Sequence, residues 1–439
     1  MLLGIGIGLV ALAVLVAVHW YAWRRVVGDT PRRRSPLRRA GTAVFVAGPV
    51  LAVAALLGRQ SMPFGLLRVV SWPGFLWLVF LLYLLMALVV GEVVRPLLRR
   101  WLRRRTRSVV PAVEPDPDAV PATVPAGTPD RGLTDGRGDD ALPAGGTAEG
   151  LVAPAQPDAA LADGELSRRL FVARLVGGTA AAVAVGTVGL GTYGVLAGPA
   201  VRHVRIPLGK LPRSASGFRI AVVSDIHLGP VLGRGFAQRV VDTINGTQPD
   251  LIAVVGDLVD GSVADLARSV EPMAQLRARH GTWFVTGNHE YYSGAAPWVE
   301  HVQELGMRLL ANDRAELPGF DLAGVNDVAG RSTGQGPDFD RALGNRDPAR
   351  TAVLLAHQPI VIDDAVRHGV DLQLSGHTHG GQVWPGPYVV GLQQPTVAGL
   401  ARYGDTQLYV TRGAGAWGPP TRVGAPSDIT VVELVARDA

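Results

Sequence analysis

Five short segments between residues 225 and 379 gather side chains that hydrophobic packing has no use for. They are Asp225-Ile226-His227, Gly256-Asp257-Leu258-Val259-Asp260, Gly287-Asn288-His289-Glu290, a lone His357, and Gly376-His377-Thr378-His379-Gly380-Gly381. A set of carboxylate, imidazole and amide groups without thiolate suits Mn²⁺, Fe²⁺/Fe³⁺, Zn²⁺ or Mg²⁺. In an extended chain residues i and i+2 project to the same side. Asp225 and His227 can therefore share one ion, and so can His377 and His379. Gly256 lets the backbone turn sharply ahead of Asp257, whose carboxylate could bridge two cations. Asn288 offers an amide oxygen, and His289 beside it points elsewhere.

Taken singly, each segment has an ordinary structural reading. An Asp-x-His pair in a loop is commonly a turn, and Gly-Asp or Asn-His-Glu is commonly a helix cap. His357 alone would be a core histidine, and His-Thr-His one half of a mononuclear site. Together they form a pattern, because each lies just past an apolar run with strand character. Those runs are 218–224, 251–255, 282–286, 352–356 and 371–375. Parallel α/β folds hold their ligand sites at such strand ends. Between the runs the sequence predicts helices. Phe236, Val240, Val241 and Ile244 share one helical face, and further helices are expected over 264–279, 297–310 and 362–368. Late strands at 408–411 and 429–434 complete an α/β sandwich. His19, His203, His280, His301 and His368 match none of the five patterns and are expected at the surface or in packing.

The chain has 439 residues, 48% of them apolar, and no cysteine. Thiolate metal sites, cysteine nucleophiles and disulfides are thereby excluded. Positive mean hydropathy points to membrane spans. Four stretches have the length and apolarity of transmembrane helices, 2–23, 41–58, 72–94 and 170–199. The basic excess is almost all arginine, and it clusters beside these stretches rather than along a nucleic-acid-binding face. No nucleic acid is expected as a stable partner.

Arginines at 24, 25, 32, 33, 34, 38 and 39 lie between the first two spans, and those at 95, 99, 100, 103, 104, 105 and 107 follow the third. Only Arg59 and Arg68 lie between the second and third. Positive loops stay cytoplasmic, so an external N-terminus and an extracytoplasmic C-terminal domain are expected. Residues 108–166, rich in Pro, Ala, Gly and Asp, are expected to form a disordered linker. The domain division is then 1–107 with three membrane helices, the 108–166 linker, 167–201 with the fourth helix, and 202–439 as the soluble domain. The stretch from 199 to 218 is expected to be a tether of at most about 65 Å.

The pattern Asp-x-His, Gly-Asp-x-x-Asp, Gly-Asn-His-Glu, His, Gly-His-x-His resembles the calcineurin-like metallophosphoesterases over roughly 220–435. The endings 376–382 and 409–415 are similar to a bacterial subgroup acting on phosphodiester or phospholipid-type substrates. The preceding helices resemble transmembrane proteins with a metallophosphoesterase domain. The resemblance implies an αββα sandwich behind an all-α transmembrane region. It implies two metal ions, one held by Asp225, His227, Asp257 and His379, the other by Asp257, Asn288, His357 and His377. His289 would face substrate, assisted by Asp260. The reaction implied is hydrolysis of a phosphate ester by a metal-activated hydroxide. Arg412, after a late strand, could contact a phosphate oxygen or form a surface ion pair. The competing class is a receptor or scaffold that binds ions with little turnover, for which His289 and Asp260 would have no use. The partners expected are the lipid bilayer and a phosphate-ester substrate, with the protein a multi-pass component of the cell membrane.

Overall fold

The computed structural model describes residues 2–30, 35–107 and 157–437. Part of the arginine cluster after the first span, and the linker as far as residue 156, lie outside the described residues. The described residues before the sandwich are mainly helical: α1 (Leu2–Trp23), α2 (Pro36–Leu57), α3 (Phe64–Arg107) and α4 (Pro157–Ala197). Among the described residues, Pro36–Leu57, Phe64–Leu102 and Arg168–Ala197 are long and apolar enough to cross a membrane. Helix α4 begins at Pro157, within the stretch 108–166 read from the sequence as a linker.

The remainder is a sandwich of two six-stranded sheets. Chain order runs β1 (Ala200–Leu208), β2 (Phe218–Val223), α5 (Arg234–Gly246), β3 (Leu251–Val255), α6 (Val263–Val270), β4 (Thr282–Val285), α7 (Asn288–Ser293) and α8 (Ala295–Glu304). It continues with β5 (Arg308–Leu309), β6 (Asp313–Leu317), β7 (Phe320–Gly324), α9 (Phe339–Leu343), β8 (Thr351–Leu355), α10 (Ile362–Arg367) and β9 (Leu372–Ser375). Last come α11 (Gly386–Val390), β10 (Gly399–Tyr403), β11 (Thr406–Val410) and β12 (Asp428–Ala436). One sheet has the order β1-β12-β2-β3-β4-β5 and the other β10-β11-β9-β8-β7-β6.

Strand periodicity builds the layers. Ile220 and Val222 of β2 face the space between the sheets, with Leu251, Ala253 and Val255 of β3 and Val353 and Leu355 of β8. The alternate residues Ala221, Val223, Ile252 and Val254 face outward under α5, α6 and α8. On the far side Ala352 and Leu354 pack under α9 and α10. The result is helix, sheet, sheet, helix, with strands buried on both faces as parallel sheets require. The predicted face of α5 is buried at Phe236, Val240, Val241 and Ile244, each contributing about 1.5–3 kcal/mol.

Three sequence expectations change. The helix expected to reach 279 stops at Val270 and tightens into a 3₁₀ turn over Glu271–Gln275, because Pro272 has no N–H to continue it. The helix expected over 297–310 ends at Glu304, and Gly306 takes a left-handed conformation before β5. The expected tether is instead β1, paired in parallel with β12 along its whole length. Val195, near the end of α4, is buried in the cluster under the first sheet. The last candidate span therefore runs straight into the sandwich.

Candidate metal centre

The C-terminal ends of β2, β3 and β4 in one sheet and β8 and β9 in the other point to one edge of the sandwich, and the five segments meet there. The nearby turns are not extended. Asp225, His227, Asp257, His377 and His379 all have positive φ, between 49° and 69°. For residues other than glycine this costs on the order of 1–3 kcal/mol each, and such strain collects at functional sites. The expectation that strand alternation aligns Asp225 with His227 and His377 with His379 is therefore corrected. Left-handed turns aim these side chains. Gly256 is required where it stands: with φ 78°, a Cβ there would lie 2.6 Å from the Gly287 nitrogen and 2.7 Å from His357 Nδ1.

Three groups of side chains have ligand atoms within 4.8 Å of one another: Asp225, His227 and His379; His227, Asp257 and His289; and Asp257, His357 and His377. His379 Nε2 lies 3.3 Å from Asp225 Oδ1 and 3.0 Å from His227 Nε2. Asp257 Oδ2 lies 3.8 Å from His227 Nε2 and 3.2 Å from His357 Nε2, between the two ends of the cluster. Asn288 Oδ1 is 3.2 Å from His357 Nε2. Each predicted ligand thus has at least one other predicted ligand beside it.

The surroundings fit this set to cations. His357 Nδ1 donates to the Val255 carbonyl at 2.8 Å, and His227 Nδ1 to Asp260 Oδ1 at 3.0 Å. Both rings thereby turn Nε2 inward, the usual arrangement behind a metal-binding histidine. Burial, then the neighbouring His357, pushes His377 down to about 3. Burial, His227 and Arg422 hold His379 well below its ordinary range. Both imidazoles are therefore neutral, as ligation requires. Burial acts downward on His357 as well, but Asp257, Asp225 and Asp327 outweigh it and the net direction is up. Burial acts upward on Asp257, yet His357 and His227 hold the carboxyl low. A cluster this rich in buried carboxylates draws positive charge, and divalent ions satisfy that demand better than protons.

His289 sits beside the ligands. Its backbone N–H donates to Asp257 Oδ1 at 2.8 Å, and its Nδ1 pairs with Asp260. Asp260 thus carries two histidines, and both hold its carboxyl well below the usual range against the opposing effect of burial. The rim of the site includes Trp417, whose ring lies 5.9 Å from that of His289, and Tyr292 at 5.4 Å.

Several further groups support the cluster. Glu290 accepts from the N–H groups of Asp257, Leu258 and Gly287 at 3.0, 2.8 and 2.6 Å. It clamps two of the ligand turns together. Burial and the charge of Asp257 push it up to about 7, while the bonds it accepts act the other way. Arg422, buried in a Gly/Pro-rich loop, donates to His379 Nδ1 at 3.2 Å and to the His379 carbonyl at 3.0 Å. Arg59, from the turn between α2 and α3, reaches Asp260 Oδ2 at 3.3 Å. Arg412 pairs with Asp428 at 3.4 Å, and its carbonyl accepts from Arg422. Of the histidines expected elsewhere, His280 stacks near Phe218, His301 pairs with Glu304 and His368 with Asp340.

A family model described as calcineurin-like phosphoesterase matches residues 218–381. A Helicobacter pylori protein named an uncharacterized metallophosphoesterase is 38% identical over 251 residues, 56% of this chain and 67% of the relative. An Aquifex aeolicus protein of the same description is 33% identical, with 92% of its length covered. The chain belongs to the calcineurin-like metallophosphoesterases. As a member of that family it is a metal-dependent hydrolase of phosphoester bonds. A Danio rerio transmembrane protein with metallophosphoesterase domain is 39% identical over 250 residues, 54% of this chain and 57% of the relative. With the three apolar helices, that relative indicates membrane association. Among solved structures, a dimetal phosphatase from Danio rerio aligns with 50% of this chain and 93% of its own at 13% identity and a TM-score of 0.34. That likeness is too low to bear on activity.

Proposed function

We propose that this metallophosphoesterase is a multi-pass membrane enzyme that hydrolyses a phosphodiester, phospholipid or pyrophosphate-type substrate with two metal ions. Asp225, His227, Asp257 and His379 would hold one ion, and Asp257, Asn288, His357 and His377 the other. The observation that carries this reading is the position of Asp257 Oδ2, with His227 Nε2 on one side and His357 Nε2 on the other. One carboxylate oxygen placed in this way could serve two ions.

The ions would supply Lewis acidity toward phosphoryl oxygens and an acidified water at neutral pH. The remaining work falls to the chain. Asp260 accepts from His289 Nδ1 and orients the ring, so that Nε2 is available to a phosphoryl or leaving-group oxygen. Glu290 fixes the turns of Asp257 and Asn288 through three backbone bonds. Asp260 also orients His227, so one carboxylate couples a ligand to the proposed acid. An ion-storing scaffold has no use for that coupling, which favours catalysis.

The helices support an extracytoplasmic catalytic domain. Glu92 of α3 meets Arg25 at 3.0 Å, and Arg174 of α4 donates to the Thr30 carbonyl at 2.9 Å. The turn after α1 and these points of α3 and α4 therefore share one end, the arginine-rich end. Arg59, Phe64 and Val195 share the other end with the metal cluster. Positive ends stay inside, so the metal-bearing end faces out.

The test has two arms. Full-length protein, metal-replete, should contain two transition-metal ions per chain by elemental analysis and turn over a chromogenic phosphodiester with Mn²⁺. One ion or none defeats the dinuclear reading. Reporter fusions after residues 65, 140 and 439 should read external, cytoplasmic and external. A cytoplasmic signal at 439 defeats the orientation.

A further inference from the structure

The stretch 372–401 contains no Asp, Glu, Lys or Arg, although 18% of the chain is charged. It leaves the metal centre at His379 and folds into α11, a single helical turn with no buried residue. Tyr388, Val389 and Leu392 are 72%, 61% and 85% exposed. Trp384 and Leu400 beside them are about half exposed. A helix on a globular surface normally buries one face and charges the other. This one does neither.

Its placement identifies what covers it. Tyr83 Oη, well inside the candidate span Phe64–Leu102, donates to the Trp384 carbonyl at 3.0 Å. Val383 and Val423 pack against the cluster formed by Leu84 and Leu88 of α3 and Ala184 and Val188 of α4. Thr421 hydrogen-bonds Thr192 of α4 at 2.7 Å. Tyr83 stands about 28 Å along the helix from Phe64, at 1.5 Å per residue. The uncharged segment is therefore fastened alongside two apolar spans, not at their tips. A segment packed on apolar spans of this kind meets lipid, and aromatic residues with aliphatic neighbours are the usual composition at the membrane interface.

We propose that the face of the catalytic domain carrying Trp384, Tyr388, Val389, Leu392 and Leu400 is seated in the phospholipid bilayer beside α3 and α4. The contact belongs to the catalytic domain and adds to the spans. It is linked to the metal centre by short bonds. The Val383 N–H donates to the Gly381 carbonyl at 2.6 Å, and Gly386 N–H to the Val383 carbonyl at 2.6 Å. The metal-ligand turn and the lipid-seated turn are thus one continuous piece of backbone, and the site is held at the membrane surface. This inference does not depend on catalysis.

The absence of native cysteine makes single-site labelling direct. Full-length Leu392→Cys, and separately Val389→Cys, would carry an environment-sensitive nitrobenzoxadiazole label in phosphatidylcholine–phosphatidylglycerol vesicles. Glu316→Cys, on the exposed β6 edge of the second sheet, is the reference. Brominated acyl chains should quench the labels at 392 and 389 several-fold more than at 316, with aqueous iodide showing the reverse order. Labels at 392 and 389 open to iodide and insensitive to brominated lipid would overturn the proposal. So would labels shielded from both quenchers, which would mean that a second copy of the chain covers this face.

Discussion

The two halves of this metallophosphoesterase handle polar groups in opposite ways. In the sandwich, charged side chains are driven into one buried cluster, where Asp225, Asp257, His227 and His357 are almost wholly inaccessible. In the helical half, charges are pushed to one end, and Glu92 gathers Tyr21, Arg25 and Arg95 there. The sandwich can concentrate charge because parallel strands of both sheets end at one edge, and backbone turns there aim ligands inward. Helices satisfy their own backbone and offer no such edge. The helical half therefore supplies position, with Arg59 its one contribution beside the metal cluster among the contacts described above.

This contrast can be broken first at the shared carboxylate. Asp257→Asn keeps the shape but removes one of the three carboxylate charges that act on His227 and on His357. Metal content should fall below two ions per chain, and turnover of a chromogenic phosphodiester should fall by more than the roughly 10–100-fold typical of residues that only orient a ligand. Elemental analysis and kcat on the same preparation check both. Retention of two ions with normal kcat would mean that Asp257 is not the bridge.

His289→Ala separates chemistry from ligation. It should lower kcat by about 10²–10⁴-fold, the range of a general acid, with both ions retained. His289 also lies in a group with His227 and Asp257 capable of holding an ion, so the measurement discriminates. If activity and metal content fall together, His289 is a ligand.

Legibility in the sequence follows the same division. The convergence of these residues was readable because carboxylates and imidazoles just after apolar runs have few other uses, and β3 was readable to the residue because Leu251–Val255 is uniformly apolar. The left-handed turns at Asp225 and His379 were not readable, since the residues that adopt the positive φ are themselves neither glycine nor asparagine. Glu290 and Arg422 were unreadable as supports because nearly all their partners are backbone groups, the exception being His379 Nδ1 beside Arg422. β1 reads as a tether in the sequence because Arg202, His203 and Arg205 interrupt it, which an edge strand with exposed residues tolerates. Strand β6 was missed for the same reason, with Asp313, Arg314 and Glu316 at the sheet edge.

The continuity of α4 with β1 makes the halves thermodynamically dependent. A fragment beginning at residue 202 lacks the first two residues of β1 and the buried Val195. It should be less stable than a fragment beginning at residue 190 by about 1.5–6 kcal/mol, from one or two apolar side chains at 1.5–3 kcal/mol each. Urea unfolding of the two fragments checks this. Equal midpoints would mean that the α4 terminus only abuts the sandwich.

The smallest effect is expected at Arg59. Its guanidinium is 3.3 Å from Asp260 Oδ2, but about a third of its side chain is solvent-exposed. A partly screened pair of this kind is worth about 0.2–1 kcal/mol. Asp260 keeps its two histidine partners without it. Arg59→Ala should therefore lower kcat/KM less than about tenfold, since a tenfold change needs 1.36 kcal/mol. The loss should shrink further when salt screens the pair in the parent protein. The measurement is kcat/KM of full-length protein in detergent with Mn²⁺, at low and high ionic strength. A loss beyond about 100-fold, insensitive to salt, would mean that Arg59 contacts the phosphoryl group directly. The turn between α2 and α3 would then be part of the active site, and the division of labour between the two halves would fail at that residue.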